Sequence, residues 1–208
     1  MGRTRPLPGL TRLLLALAVG ASLAACGADG PSAANTAPPP AAGFTRVIGT
    51  GFTIDMPAGW PQPALDPAAF DQTAEALRAQ NPQLAAGLDQ ARATLDRGTR
   101  LFAIDPTDGS SVNLIVTDAG NRSLETLVEE AVRQLESVGA SSLRREPTSV
   151  GSRQAARLEF GLPVTGSAGS LTVPETQYYV VHDKRLYVLT LFGDSPSLTT
   201  VAESLRID

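Results

Sequence analysis

Histidine and cysteine, the side chains most often used for proton transfer and nucleophilic attack, each occur once in the 208 residues. His182 is followed by Asp183, Lys184 and Arg185, a polar run between two apolar, β-rich segments. A catalytic histidine needs a hydroxyl or thiol within hydrogen-bond distance, and the sequence alone does not show which residues lie that close to His182. No G-x-S-x-G motif is present. We therefore interpret His182 as an exposed histidine in a turn, and we predict no catalytic residue.

The sequence also offers little for metals or phosphates. Asp105 and Asp108, followed by Gly109, have part of the spacing of a calcium-binding loop, but Val116 stands where such a loop has its glutamate. One histidine and one cysteine cannot form a zinc site by themselves. No Walker-type or dinucleotide-binding glycine motif follows a predicted strand. We predict a hairpin loop at 105–109, no metal and no cofactor.

Charge and composition exclude further classes. The chain has 17 Lys and Arg residues against 21 Asp and Glu, a formal charge of −4, so nucleic acid is not an expected partner. Hydrophobic residues make up 42% and charged residues 18%, which is typical of one globular domain with appendages. No apolar run reaches the ~18 residues expected of a membrane-spanning helix.

The first 25 residues contain no acidic residue and have the three parts of a secretory signal peptide. Arg3, Arg5 and Arg12 form a positive start, residues 13–23 form a short apolar segment, and small residues follow. Removing this segment leaves 14 basic and 21 acidic residues, a net charge of −7. Anionic lipid headgroups should therefore not attract the mature chain.

The signal peptide ends in Leu23-Ala24-Ala25-Cys26, which resembles the bacterial lipobox. The resemblance implies that a diacylglyceryl group is attached to the thiol of Cys26 and that signal peptidase II cleaves between Ala25 and Cys26. Acylation of the new amine often follows. Two or three acyl chains give stable anchoring, because each buried CH₂ contributes about 0.8 kcal/mol. The implied location is the extracytoplasmic side of the cell membrane, and the implied partner is the membrane itself.

A tether separates this anchor from one domain. Residues 27–43 contain four prolines, six alanines and three glycines but no large apolar side chain, so they cannot bury enough surface to fold. We predict that residues 26–43 are the lipidated cysteine and a flexible tether. Residues 44–208 are long enough to bury a core without disulfides, and we predict that they form a single domain.

Hydrophobic periodicity predicts the elements of this domain. Alternation predicts strands at 52–56 and 156–160, and β-rich runs on either side of polar turns predict strands at 101–104, 112–116, 176–181 and 186–192. Helical spacing predicts helices at 67–80, 82–97, 123–138 and 198–205. The 186–192 strand is apolar on both faces, which predicts a sheet covered on both sides. Because hairpins dominate the order, we predict a mostly antiparallel sheet with helices on both faces, a three-layer α/β/α sandwich of the α+β class.

Several segments carry a family resemblance. The sequence GFTIDMPAGW at 51–60 resembles the first strand and P-x-G-W turn of PsbP-like proteins, and QYYVVHD at 177–183 and SLRID at 204–208 follow in a similar order. With the lipobox, the chain resembles the LpqN/LpqT-type lipoproteins of actinobacteria, which have a PsbP-like domain. The resemblance covers 44–208 and implies an antiparallel sheet between helices, no shared enzymatic activity, and accessory or binding roles. The helical region 67–97 departs from the minimal fold.

The candidate binding residues are four aromatic side chains, Trp60, Tyr178, Tyr179 and Tyr187. Aromatic residues anchor interfaces and line pockets, although these four have an alternative role in packing between sheet and helices. A second hypothesis is that the helices at 67–97 form a lid, which would leave a cavity.

These features lead to two functional predictions. The first is a membrane-anchored, non-catalytic lipoprotein that acts as an accessory or docking module for cell-envelope proteins. The alternative is a carrier of a lipid or other apolar envelope ligand. Aromatic residues on the surface would favour docking, and an internal apolar cavity would favour the carrier. A buried polar cleft around His182 would instead favour an enzyme.

Overall fold

The computed structural model describes residues 38–166 and 169–208. The predicted signal peptide, Cys26 and most of the predicted tether lie outside the described residues. Residues Pro39–Asp208 form one compact unit. Within the described part of the chain, no helix is long and apolar enough to cross a membrane.

The unit contains nine strands and four α-helices among the described residues. The strands are β1 (Phe44–Gly49), β2 (Phe52–Pro57), β3 (Thr99–Ile104), β4 (Ser111–Asp118), β5 (Ser141–Val150), β6 (Arg153–Gly166), β7 (Gly169–His182), β8 (Arg185–Phe192) and β9 (Arg206–Ile207). The helices are α1 (Pro67–Gln80), α2 (Ala85–Thr94), α3 (Leu124–Ser137) and α4 (Ser197–Ser204). Short 3-10 turns at Pro82–Leu84 and Leu95–Arg97 flank α2.

All strand pairs are antiparallel. Six strands form the larger sheet in the order β3-β4-β8-β7-β6-β5, and three form a smaller sheet in the order β1-β2-β9. The predicted α+β class and the large antiparallel sheet are confirmed. Both predicted hairpins are present, as β3–β4 and β7–β8. Asp183 and Lys184 join β7 to β8 with φ values of 47° and 62°, as expected for a type I′ turn.

One face of the larger sheet is covered by α4 together with the smaller sheet. Phe52, Ile54 and Met56 of β2 are buried in one cluster with the inward residues of β4 and β8 and with Leu198 and Val201 of α4. Alternate residues of β2 point inward because side chains in a strand alternate between faces. The layer on this side of the larger sheet therefore consists partly of β-strands. The sequence prediction had a single sheet and did not place these strands in a second one.

The other face is covered by helices at its two ends. Phe70, Leu77 and Leu88 of α1 and α2 pack on β3 in one cluster. Val128 of α3 packs on β6 and β7 in another cluster, which includes Leu158. The central strands β4 and β8 lie between these two helical regions.

Local signals explain how the helices begin and end. The carboxylate of Asp66 accepts hydrogen bonds from the backbone N–H groups of Ala68 and Ala69 and caps α1. The hydroxyl of Ser123 caps α3 by accepting from the N–H of Thr126 at 3.1 Å. Gly98, with φ of 92°, ends the 3-10 turn Leu95–Arg97 that follows α2. A Cβ there would lie 2.5 Å from the carbonyl oxygen of Val116, so only glycine fits this approach to β4.

Two details differ from the sequence prediction. The helix expected at 82–97 is a ten-residue α-helix between two 3-10 turns. The strand β5 was not predicted, because it is an edge strand with mostly exposed residues and has no clear alternation of polar and apolar side chains.

Candidate ligand-binding groove

A groove of about 440 Å³ lies over the central strands, on the face of the larger sheet that carries α1, α2 and α3. Residues of α2 form one wall and residues of α3 form the other, while β4, β7 and β8 supply the floor. This volume lies within the range of about 300–1,000 Å³ that is typical of small-molecule sites.

The strand register places a row of polar side chains across the floor. Asn113 of β4 pairs with Thr190 of β8, and Thr190 pairs with Gln177 of β7. Apolar residues stand at both ends of this row, with Phe102 paired to Asn113 and Leu158 paired to Gln177. Directly paired residues project on the same face of a sheet, so the polar row is enclosed between two apolar ends.

A second row lies alongside the first. Ser111 pairs with Phe192, and Phe192 pairs with Glu175. Both polar residues of this row are buried, and Glu175 is only 4% exposed. A glutamate is rarely so buried unless another group pairs with it. The floor therefore concentrates buried polar groups on a sheet face that is otherwise apolar.

A chain of hydrogen bonds runs along β7 on this floor. The hydroxyl of Tyr179 donates to Oε1 of Gln177. Nε2 of Gln177 in turn donates to Oε1 of Glu175 at 2.7 Å. The chain ends there, because Oε2 of Glu175 is buried and has no hydrogen-bond partner among the described residues.

Asn113 provides a second buried acceptor without a donor. Its Nδ2 donates to the hydroxyl oxygen of Thr94 at 3.1 Å, and that hydroxyl donates to the carbonyl of Ala91 at 2.8 Å. The amide is thereby held with its nitrogen towards α2. Its Oδ1 is buried and has no partner in the described ranges 38–166 and 169–208. Most buried polar atoms in proteins are paired, so two unpaired acceptors in one groove require an explanation.

The buried position changes the acid–base properties of the floor. Burial raises the pKa of Glu175 to about 7, and the hydrogen bond from Gln177 opposes this shift. Burial and the neighbouring Glu175 both raise the pKa of Tyr179. At neutral pH the Glu175 side chain therefore exchanges between neutral and charged forms, while Tyr179 stays protonated.

The wall on the α3 side is mainly apolar, and the rim carries one cation among the described residues. Ala131, Leu135 and Val138 line the α3 side, and Val138 is 59% exposed. Arg97, in the turn after α2, is exposed on the rim and makes no hydrogen bond or ion pair with the described residues. The groove thus combines an open edge, one mainly apolar wall and a polar floor.

The predicted aromatic residues occupy different environments. Trp60 and Tyr187 are 9% and 3% exposed and belong to the core on the opposite face of the sheet. Tyr178 is half-buried on that same opposite face, with the guanidinium of Arg157 6.0 Å from its ring centre. Only Tyr179 lines the groove. The sequence analysis did not single out Asn113, Glu175 or Gln177.

The other predicted features have local roles. His182 is the last residue of β7 and is half-buried, not exposed in the turn as predicted, and its Nε2 lies 3.3 Å from Oδ2 of Asp183. Asp105 and Asp108 accept hydrogen bonds from Thr107 and Ser110 in the β3–β4 loop, as expected of a hairpin loop. In the part of the chain that the structure describes, no three His, Cys, Asp or Glu side chains are grouped as metal ligands.

Comparisons with known proteins establish the class of fold. No protein-family model matches the chain, and no curated protein sequence matches it. Among solved structures, the cyanobacterial PsbP protein CyanoP from Synechocystis is 16% identical over 89% of this chain and 99% of its own, with a TM-score of 0.54. The chain therefore has a PsbP-like fold.

Two further solved structures are similar at lower scores. A Pseudomonas aeruginosa protein of unknown function, described as a putative regulator, is 11% identical, covers 79% of this chain and 97% of its own, and has a TM-score of 0.43. LpqN of Mycobacterium tuberculosis, described as involved in cell envelope biogenesis, is 16% identical, covers 50% of this chain and 65% of its own, and has a TM-score of 0.34.

Proposed function

We propose that this chain is a lipid-anchored, non-catalytic binding protein of the cell envelope that takes a small organic ligand into the groove between α2 and α3. The observation that supports this proposal is a pair of buried acceptors that find no donor among the described residues, Oδ1 of Asn113 and Oε2 of Glu175. A buried polar group left unpaired costs about 1–3 kcal/mol. A ligand that donates hydrogen bonds to these atoms would recover part of that cost.

The groove favours the binding of a small ligand over docking through aromatic residues. Three of the four candidate aromatics lie on the opposite face of the larger sheet, two of them in the core. The lid hypothesis is supported in part, since Gly87, Gln90 and Thr94 of α2 line one wall. The groove is open and its floor is polar, so it differs from the internal apolar cavity that would favour a carrier of an apolar ligand. Docking of envelope proteins stays a prediction.

The cellular location rests on the sequence of the N-terminus. The segment 23–26 and the tether that follows it support attachment through Cys26, with the domain held on the extracytoplasmic side. Acyl chains at Cys26 would serve as the anchor, and the membrane would be the first partner. A protein bound in this way can collect or deliver a ligand at the membrane surface.

A binding role without catalysis fits the residues at the groove. Among the described residues, His182 is not part of its lining. His182 lies at the end of β7 beside Asp183, and no hydroxyl or thiol of the described residues is hydrogen-bonded to it. A nucleophile activated by a base needs such contact.

Native mass spectrometry of the full chain, extracted from membranes in detergent, tests the proposal. We expect a small-molecule adduct that is lost when Ala131→Phe fills the groove from α3. The matched control is Ala76→Phe, on an exposed position of α1 outside the groove, which should retain the adduct. An adduct that persists in Ala131→Phe, or the lack of any adduct in the wild type, would contradict the proposal.

A further inference from the structure

Glu175 carries the buried carboxyl group of the groove, and no cation of the described residues compensates it. The residue is buried, one carboxyl oxygen accepts from Gln177, and the other has no partner within residues 38–166 and 169–208. No lysine or arginine of the described chain forms an ion pair with it. A buried carboxylate without a cation is strongly disfavoured in an apolar environment.

We propose that the groove selects organic cations with a primary ammonium group, which donates to Oε2 of Glu175 while the hydrocarbon part of the ligand contacts the apolar wall of α3. This inference rests on the proposed binding function and names the ligand class. An ammonium group supplies both the missing donor and the missing positive charge. Its hydrogen bond to a carboxylate is roughly twice as strong as a bond between neutral groups.

The second acceptor provides a further contact point on the same floor. Asn113 and Gln177 are separated by one intervening strand, so their backbones are about 10 Å apart. Oδ1 of Asn113 therefore accepts from a different part of the ligand than the ammonium group that binds Glu175. A cation with a second donor some distance from its amine matches this arrangement best.

The walls supply the apolar contacts of such a ligand. Leu135 of α3, Val138 just after this helix and Leu162 of β6 line one side of the groove, and Ile115 and Val188 extend the floor. These side chains offer no partner for a charge. They contact the hydrocarbon part of the ligand, so Glu175 is the charged contact on the floor.

The charged and titratable groups around Glu175 are few. Tyr179 lies on the same strand, and Arg97 lies on the rim from the turn after α2. The lining residues from α3, β4 and β8 are uncharged: Ala131, Gln134, Leu135, Val138, Ser111, Asn113, Ile115, Val188, Thr190 and Phe192. Because the pKa of Glu175 is about 7, an ammonium ligand must displace a proton below that pH. Its affinity should then fall by about tenfold per pH unit.

Calorimetric titration with a matched pair of probes tests this selectivity. The full chain, carried in phosphatidylcholine nanodiscs, is titrated with benzylamine and with its neutral isostere benzyl alcohol, and empty nanodiscs serve as the blank. At about pH 8 we expect benzylamine to bind at least about tenfold more tightly than the alcohol. At about pH 5 this preference should be lost, because the carboxyl group is then protonated.

Two variants locate the effect. Glu175→Gln removes the charge with little change in shape, and it should abolish the preference for benzylamine. Glu129→Gln makes the same change on an exposed position of α3 outside the groove and should leave the preference intact. Thermal unfolding of both variants verifies that they are folded.

The outcomes separate this inference from the proposed function. Equal affinities for the two probes, or a preference that survives in Glu175→Gln, would overturn the selection of cations. Failure of both probes to bind would overturn it as well. In each of these cases the adduct experiment with Ala131→Phe still decides whether the groove binds a ligand of another class.

Discussion

Gln177 donates a hydrogen bond from Nε2 to Oε1 of Glu175 at 2.7 Å, and the two residues lie two positions apart on the same face of β7. This contact fixes one oxygen of the carboxyl group and leaves Oε2 without a partner among the described residues. The amide of Gln177 is itself oriented by the hydroxyl of Tyr179. Three consecutive same-face residues of β7 thus present one defined acceptor on the groove floor.

The first prediction concerns stability and pH. The pKa of Glu175 is raised from 4.5 to about 7, so the folded protein holds a proton that the unfolded chain releases in this range. The free energy of unfolding should therefore fall as pH rises from about 4.5 to about 7. Glu175→Gln removes this loss and should stabilise the protein at about pH 8 by up to about 3 kcal/mol.

Urea unfolding over this pH range measures the effect. The difference between Glu175→Gln and the wild type should vanish near pH 4.5, where the glutamate is protonated in the folded state. Glu129→Gln, an exposed change of the same kind, should show no such pH dependence. A constant difference at all pH values would show that Glu175 does not titrate in this way.

The second prediction concerns the hydrogen bond that orients Asn113. Thr94→Val keeps the shape of the side chain but removes the acceptor for Nδ2 of Asn113. The buried amide then loses its partner, and we expect a loss of about 1–3 kcal/mol in urea unfolding. In a double-mutant cycle, Thr94→Val should cost less in the background of Asn113→Leu. Additive effects in the cycle would mean that the two side chains are not coupled.

The third prediction concerns the support of the α2 wall. Phe70 of α1 is fully buried, and its ring centre lies 5.8 Å from that of Phe102 on β3. Phe70→Ala should cost about 3–5 kcal/mol, because it leaves a cavity between α1 and the sheet. Gln72→Ala, on the exposed side of α1, is the control and should have little effect. Similar midpoints of unfolding for the two variants would argue against this packing.

The fourth prediction concerns the membrane anchor. Cys26 is the only cysteine of the chain and ends the lipobox-like segment. The wild-type protein should enter the detergent phase of a Triton X-114 partition, because two or three acyl chains give stable anchoring. Cys26→Ser removes the thiol that accepts the lipid, and the protein should lose this partitioning. Equal recovery of both forms in the detergent phase would refute lipid attachment at Cys26.

Much of the fold could be predicted from local sequence signals. Alternating apolar residues predicted β2, and β-rich runs on either side of polar turns predicted the β3–β4 and β7–β8 hairpins. Caps at Asp66 and Ser123 mark where α1 and α3 begin. These signals act between residues that are close in the chain. They are therefore visible without knowledge of tertiary contacts.

The groove depends on residues that are distant in sequence. Asn113, Thr190 and Gln177 form one row only because β8 pairs with both β4 and β7. Each strand alone shows a polar residue at an alternate position, which is also what a strand with one solvated face would show. The sequence therefore predicted an antiparallel α+β fold and a lipid-anchored N-terminus. Tertiary structure alone decided which polar residues are buried together, because burial depends on how far apart α2 and α3 pack on the sheet.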